Sequence, residues 1–598
     1  MQKNIEISAQ TMIPDLLRAY PIARLVLDKY GLKGCGGPEG PYESLRFFAR
    51  AHDVDEHALV CEIEGSVLKQ EQANQAVGVK LDAPDLADTI YRRFFVAGIV
   101  ITVTLGATWG AYLLWKIGIL GYGGASSNEI NAHGQAQIFG WMGLFIMGFA
   151  YQAFPRFWHT TLAAPRLAVL AFALMLTGIG SASLGLVFGN HSTFGLPLGL
   201  SGSVLELAAA CIFLGQIFVT YSHSGKRPEP YIGFVFTSLF WFVVSSAYNC
   251  WHVWNVLGAA SDDRLLYYVS VFQPALRDMQ FLGLGMLIIV GVSLRTLPHF
   301  FDLPKIRDQH GWLLLGLMTA AIILQTAFSL VLRLSPGFPQ ALLSLPPGLL
   351  LFGTLTLLWQ WRLWKPFPES DRSAKFVRAA YSWLLVSLAM LIGLPAYTAL
   401  PGVPSAHAFT AATHHAITVG FISMMIMGHA AKVVPTLNGI NPKSLTRLWG
   451  PFLLINLGCL LRVSMQIATD WTKQAYPIIG LSGTLEVVAL AWWGWSLVSI
   501  ILKGKRAERA LASASVSVRK KLAYPVMGDA KVGQLIEDYP QTLPIFVAHG
   551  FGPLANPVLR KTMAREVTID KACKMHEIAI ERFLAEINQA ISGQSSPS

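Results

Sequence analysis

Apolar runs of about 20 residues, separated by short polar loops, recur twelve times along the middle of this chain. They predict membrane helices over residues 94–115, 131–153, 165–187, 198–221, 231–256, 276–296, 311–332, 342–363, 377–398, 406–432, 448–468 and 478–502. Each has the length to cross hydrocarbon as a helix, the open conformation that satisfies its own backbone hydrogen bonds. The ends differ in pattern. Residues 1–75 and 524–592 are charged and amphipathic, with apolar teeth at helical spacing such as Leu16, Leu17, Leu535 and Ile536. The expected architecture is all-α: a twelve-helix membrane domain at 94–503, two small helical domains, linkers at 76–93 and 504–523, and a tail at 593–598.

A long repeat runs through the membrane region. Three apolar segments close on Phe154-Pro155, Leu297-Pro298 and Val434-Pro435, and each proline follows one glycine by seven residues (Gly148, Gly291, Gly428) and another by fifteen (Gly140, Gly283, Gly420). The prolines stand 143 and 137 residues apart, room for four membrane helices each, which predicts three arcs of four helices. Glu206 and Glu486 both lie 51 residues after a repeat proline, where the middle arc has Leu349. A carboxylate in an apolar run is expected to be protonated or paired. It suits a proton or polar path, a metal site or an interhelical hydrogen bond.

Composition agrees: 53% of residues are hydrophobic and 14% charged, and the mean hydropathy is +0.46. Arg156, Arg166, Lys226, Arg227, Lys305, Arg307, Arg372, Lys443 and Arg447 crowd the even-to-odd loops, as do Lys503, Lys505 and Arg506 after the last span. Retention of basic loops in the cytoplasm then places both termini there, in a bacterial inner membrane, with no cleavable signal peptide ahead of the first span. The net charge of +11 is largely this topological signal, and nothing else in the chain supports a nucleic-acid partner. Six cysteines show no paired metal-ligand spacing, and Cys35, between Gly34 and Gly36, is expected to serve a turn.

The terminal segments repeat one another. Tyr20-Pro21 precedes Gly31, and Tyr539-Pro540 precedes Gly550, at the same interval of eleven residues from tyrosine to glycine; His52, Leu59 and Glu62 match His576, Phe583 and Glu586 in spacing. These segments, with Tyr30-Gly31, His549-Gly550-Phe551 and Asn556-Pro557-Val558-Leu559-Arg560, resemble the small helical domain related to the N-terminal domain of ScdA-type iron-sulfur cluster repair proteins. With few cysteines, they are expected to bind a cytoplasmic protein partner or regulate rather than hold metal.

Intramembrane histidine is costly without a partner, so it marks function. His133 opens the second span, His407, His414 and His415 open the tenth, and His252 closes the fifth. Neutral imidazoles on facing helices can clamp one porphyrin iron. Spans two and ten are corresponding helices of the first and third arcs, which favours His133 with His414 or His415. Two adjacent histidines project about 100° apart, so both cannot face one iron. His252 and His407, taken singly, read as snorkelling or hydrogen-bonded interfacial groups more readily than as ligands.

Asn131-Ala132-His133-Gly134-Gln135-Ala136-Gln137-Ile138-Phe139-Gly140, with Phe154-Pro155-Arg156-Phe157, resembles the second helix of NnrS-like proteins and related subunit-I-like members of the heme-copper oxidase superfamily. His415-Ala416-Ile417-Thr418-Val419-Gly420-Phe421 with Met427-Gly428-His429 resembles their tenth helix. The resemblance implies heme b, leaves room for copper, favours His415 over His414 as the ligand, and links the chain to nitric oxide or denitrification stress. Arg277 is then a partner for a heme propionate. One departure is plain: the sixth and seventh spans lack the histidines that build the reductase second metal centre, since they offer Arg277, Asp278, His299 and His310 instead. The competing expectations are a proton-coupled membrane transporter and a divergent nitric oxide reductase, and whether the chain turns over a substrate is left open.

Overall fold

The computed structural model describes residues 5–33, 35–36, 39–72, 86–189, 192–335, 337–366, 371–401, 407–517, 525–555, 564, 567–576 and 578–592. Among these residues the extended elements are all helices, and the only strand-like pairings are two isolated bridges, Met12 with Ser44 and Lys531 with Thr568. The chain divides into two compact units, Met1–Glu508 and Arg509–Ser598. Residues 76–85, 518–523 and 593–598 of the expected linkers and tail lie outside the described residues, as does the Asn556–Arg560 motif.

Among the described residues twelve helices are long and apolar enough to span a membrane: Leu86–Leu120, Ser127–Phe157, Pro165–Phe188, Gly195–Ser222, Pro230–Leu257, Asp262–Phe301, Asp308–Leu334, Gln340–Trp361, Ala374–Thr398, His407–Leu437, Trp449–Ala468 and Ala475–Arg506. All twelve expected spans are present, and several overrun their apolar stretch. The first begins at Leu86, so residues 86–93 are helix rather than linker; the last continues as helix to Ser517, into the expected 504–523 linker. The sixth starts at Asp262, where the Ser261 hydroxyl accepts from the Arg264 amide at 3.3 Å and two aspartates occupy the first turn. Arg277 and Asp278 therefore sit in mid-helix, not at its start, and His299 lies inside its last turns, not beyond them. Hydropathy registers the apolar stretch, whereas capping decides where the helix stops.

Spans two, six and ten form an inner trio. Their apolar windows are 89%, 94% and 67% buried, against 28% to 56% for the other nine, so the trio forms the centre and the others face outward. Trp141 Nε1 donates to Ser423 Oγ at 2.9 Å across spans two and ten. The outer ring closes where span twelve meets span one, through Trp115 Nε1 and Thr484 Oγ1 at 2.9 Å.

The repeated glycines are where outer helices press on the trio. A Cβ on Gly148, Gly291 or Gly428 would fall 2.7, 2.6 or 3.0 Å from the Cβ of Phe94, Phe234 or Phe376, on spans one, five and nine. On Gly140, Gly283 or Gly420 it would meet Ile101, Trp241 or Trp383 of the same three spans at 2.5, 2.7 and 2.6 Å. Only glycine admits these large side chains so close to the inner backbone. A further repeat was not visible in the pattern of residue types. Each inner helix contains a wide π-helical stretch, Ala136–Gly143, Met279–Met286 and Ala416–Ser423, each starting 19 residues before its proline.

The N-terminal module packs helices Ile13–Ala19, Ala23–Lys29, Leu45–His52 and Glu56–Gln72. Its internal geometry matches that of the C-terminal module. Tyr20 and Tyr539 close their first helices onto Leu16 and Leu535 carbonyls at 2.7 and 2.8 Å, and Gly31 and Gly550 both adopt positive φ, +101° and +93°. A Cβ at Gly31 would also strike His52 Nδ1 at 2.8 Å, so glycine is required there twice over. Burial, aided by His159 and Arg295, pushes His52 down to about 3 and keeps it neutral. Cys35 is buried and its thiol is pushed up by that burial, in keeping with a role in the turn.

This module docks on the proline ends of the trio. Arg156 donates to the Lys33 carbonyl at 2.9 Å, Arg295 to that of Ala51 at 2.9 Å, and the Gly36 amide to the Leu437 carbonyl at 3.2 Å. Arg50 pairs with Asp302 at 2.8 Å and Lys305 with Asp53 at 2.9 Å. Lys432 joins Arg295 at this interface, its Nζ 5.7 Å from the centre of the Phe47 ring. Glu43 is the pH-sensitive member: burial pushes its carboxyl up to about 7, and Lys432 opposes this only in part. A raised acid favours the folded state fully below its unfolded value and loses that contribution as pH rises through about 7. Glu43→Gln is expected to melt with the wild type at pH 5 and above it at pH 8; an offset equal at both pH values contradicts this.

Candidate functional site

The second span begins with a capping box, Ser126 Oγ accepting from the Glu129 amide at 3.1 Å and Glu129 returning to Ser126 N at 2.8 Å, with Lys116 holding the same carboxylate at 3.0 Å. That start presents His133 one turn further in. Opposite it, the five-residue π stretch Thr102–Gly106 of span one ends at Gly106, whose φ of −84° and ψ of −103° leave the helical region and turn its carbonyl outward. His133 Nδ1 lies 3.0 Å from that oxygen. Donation to a carbonyl fixes the Nδ1–H tautomer and leaves the Nε2 lone pair facing away, the usual arrangement of a metal-binding imidazole. Gly110 completes the seat: a Cβ there would fall 2.5 Å from His133 Cε1.

His133, His415, Arg462 and Glu486 form one polar cluster. His415 is within electrostatic reach of His133 and Arg462. Its Nε2 lies 3.2 Å from Arg462 Nη2, and its Nδ1 has no hydrogen-bond partner among the described residues. Arg462 Nε and Nη1 are also unpartnered, although Glu486 lies within electrostatic range. Glu486 folds over Gly458 as Glu206 folds over Gly178, at 2.8 and 2.9 Å from the respective Cβ positions.

A second cluster joins spans two, four, five and six. Gln135 donates to Glu206, and Asn249 Nδ2 reaches Gln135 Oε1 at 3.4 Å and Ser203 Oγ at 3.5 Å. A cavity of about 10 Å³, near the least that holds one water, lies among Asn131, Gln135, Asn249, His252 and Arg277. Arg277 crosses Gly134, beside His133, bonding Gln280 Oε1 at 2.7 Å and Asn131 Oδ1 at 3.4 Å. Among the described residues no carboxylate pairs with it. The third cluster is Asp278, which accepts from Ser329 Oγ at 2.5 Å and Gln325 Nε2 at 3.4 Å.

One register underlies all three. Gln135, Asp278 and His415 each stand 20 residues before a repeat proline, immediately ahead of the wide turn, and Gln325 and Arg462 each stand 27 after one. Repeat spacing could have found Gln135, Gln325 and Arg462, which hydropathy and histidine counting passed over. His414 turns the other way, its ring 5.3 Å from that of Phe281. His407 is exposed at the start of span ten, and His252 belongs to the second cluster. The five histidines therefore do not converge, and among the described residues no three His, Cys, Asp or Glu side chains could share a metal ion.

A family model described as NnrS protein matches residues 86–505, from the start of the first span to the end of the twelfth. The chain belongs to the NnrS family. Residues 528–584, the C-terminal module, match a domain of unknown function, DUF1858. No curated protein matches the chain. The NnrS match contains all three clusters, and the His133 seat is the most closely fitted part of them. Gly110→Ala is expected to destabilise the protein by about 1–3 kcal/mol through overpacking, while Gly180→Ala, where nothing lies within 4 Å, is expected to change little. Melting in detergent checks the pair; equal behaviour would refute the close seat.

Proposed function

We propose that this member of the NnrS family is a heme b protein of the bacterial inner membrane, with both termini cytoplasmic, that handles or senses nitric oxide or related redox stress. The observation that carries the reading is His133: its tautomer is set by the Gly106 carbonyl, and its Nε2 makes no hydrogen bond among the described residues. His415, in the same cluster, supplies a second imidazole, and its Nε2 already lies against a cation that can release it. His414, on the other face of the helix, is not the favoured ligand. Among the described residues Arg277 has no carboxylate partner, and it lies next to His133 across Gly134, which suits a propionate. Bound between two imidazoles, heme iron supplies one-electron chemistry, and with one position open it binds gases.

Two other readings have less support. Neither Arg277 nor Asp278 of span six can replace the histidines of a reductase second metal centre, and His299 is occupied with Arg295 Nη1 at 2.9 Å at the far end of the helix. Copper lacks a convergent donor set among the described residues. A proton-coupled transporter draws on the Glu206–Gln135–Asn249 chain. The cytoplasmic orientation rests on the basic loops, and the terminal modules are read as the parts that meet a cytoplasmic protein partner.

Absorption spectra of the purified protein, with and without reductant, test the reading. A Soret band is expected, shifted by nitric oxide. His133→Ala and His415→Ala should each lose most bound heme, His414→Ala should keep it, and Arg277→Gln should weaken retention by roughly 10-fold to 100-fold, the worth of a charge-assisted hydrogen bond. A wild-type protein without a Soret band, or a His133→Ala protein with full heme content, overturns it.

A further inference from the structure

Spans two, six and ten, with Phe95 of span one, wall a second, partly open apolar space well away from the histidine clusters. A cavity of about 70 Å³ lies between the proline-end halves of spans two, six and ten, walled by Phe149, Ile289, Val292, Met425 and Ala430, with His429 as its one polar side chain. His429 is 14 residues beyond His415, about 20 Å along the helix, so this is not part of the site described above. Its Nε2 is held at 3.0 Å from Thr296 Oγ1, and the rings of Phe149 and Phe300 stand 6.4 and 6.0 Å from its own.

Water does not suit this space. A buried water needs two to four polar partners, and the walls offer at most one imidazole nitrogen. Apolar cavities of about 150 Å³ stay dry and take up benzene or xenon, so one about half that size takes a diatomic or a noble-gas atom but not an aromatic ring. Dissolved apolar gases are weakly hydrated, so transfer into a dry cavity forfeits little and gains contact with the walls.

We propose that this cavity is a holding site for a small apolar diatomic molecule, nitric oxide in the proposed function, on the axis of the inner trio. The site and its ligand class stand on the cavity alone; only the identity of the gas rests on the reading above.

Xenon is the probe. Crystals of the full chain pressurised with xenon are expected to show one anomalous peak between Phe149, Ile289 and His429. The peak should vanish in Val433→Phe and in Ala430→Leu, two variants that fill the space from residues of different exposure, while both keep the wild-type Soret band. An ordered water on His429 Nδ1 in place of xenon, or no xenon in the wild type, overturns the proposal. So does a peak that survives in a folded filled variant. A xenon peak in protein without a Soret band would sink the heme reading and leave this site standing.

Discussion

The structure depends on three inner helices being gripped by three outer ones at glycine. Twice on each inner helix, a large side chain of span one, five or nine presses where a glycine leaves the backbone bare. Lipid tails give no hydrophobic drive for helices to associate, so close packing of this kind must hold them. The repeat in the sequence is the footprint of that contact, and the shared interval to the proline records where each inner helix meets the N-terminal module.

Fixing the inner helices in one register has a chemical consequence. The residue ahead of each wide turn arrives at an equivalent place in all three arcs, yet it is glutamine, aspartate and histidine in turn. Wide π turns leave backbone groups out of the regular ladder and recur at functional sites. Here the same device in span one turns the Gly106 carbonyl toward His133. A near-threefold scaffold thus holds three different clusters: two imidazoles beside a guanidinium, an amide-carboxylate chain, and an aspartate held by serine and glutamine.

Much of this was legible beforehand. Twelve spans and the repeated glycine and proline positions follow from apolar run length and repeated spacing, which report directly on burial and register. Helix ends did not follow, because Asp262 through Ala275 extend upstream a helix that hydropathy begins at 276. The π stretches were hidden, since one extra residue in a turn leaves no mark on composition. Arg462 was missed because a lone arginine in an apolar run has no signature until the repeat register sets it opposite His415. The adjacency of His414 and His415 hid which way each ring turns, and in the structure His414 lies against Phe281 and His415 against Arg462.

The proposed heme site puts one iron between His133 of span two and His415 of span ten. Anomalous diffraction at the iron edge, from crystals of the full chain, would locate it. One peak beside Nε2 of His133 and Nε2 of His415, with Arg462 displaced from the latter, is expected. Iron bound through other residues, or an ordered membrane domain with no iron at this level, would contradict it.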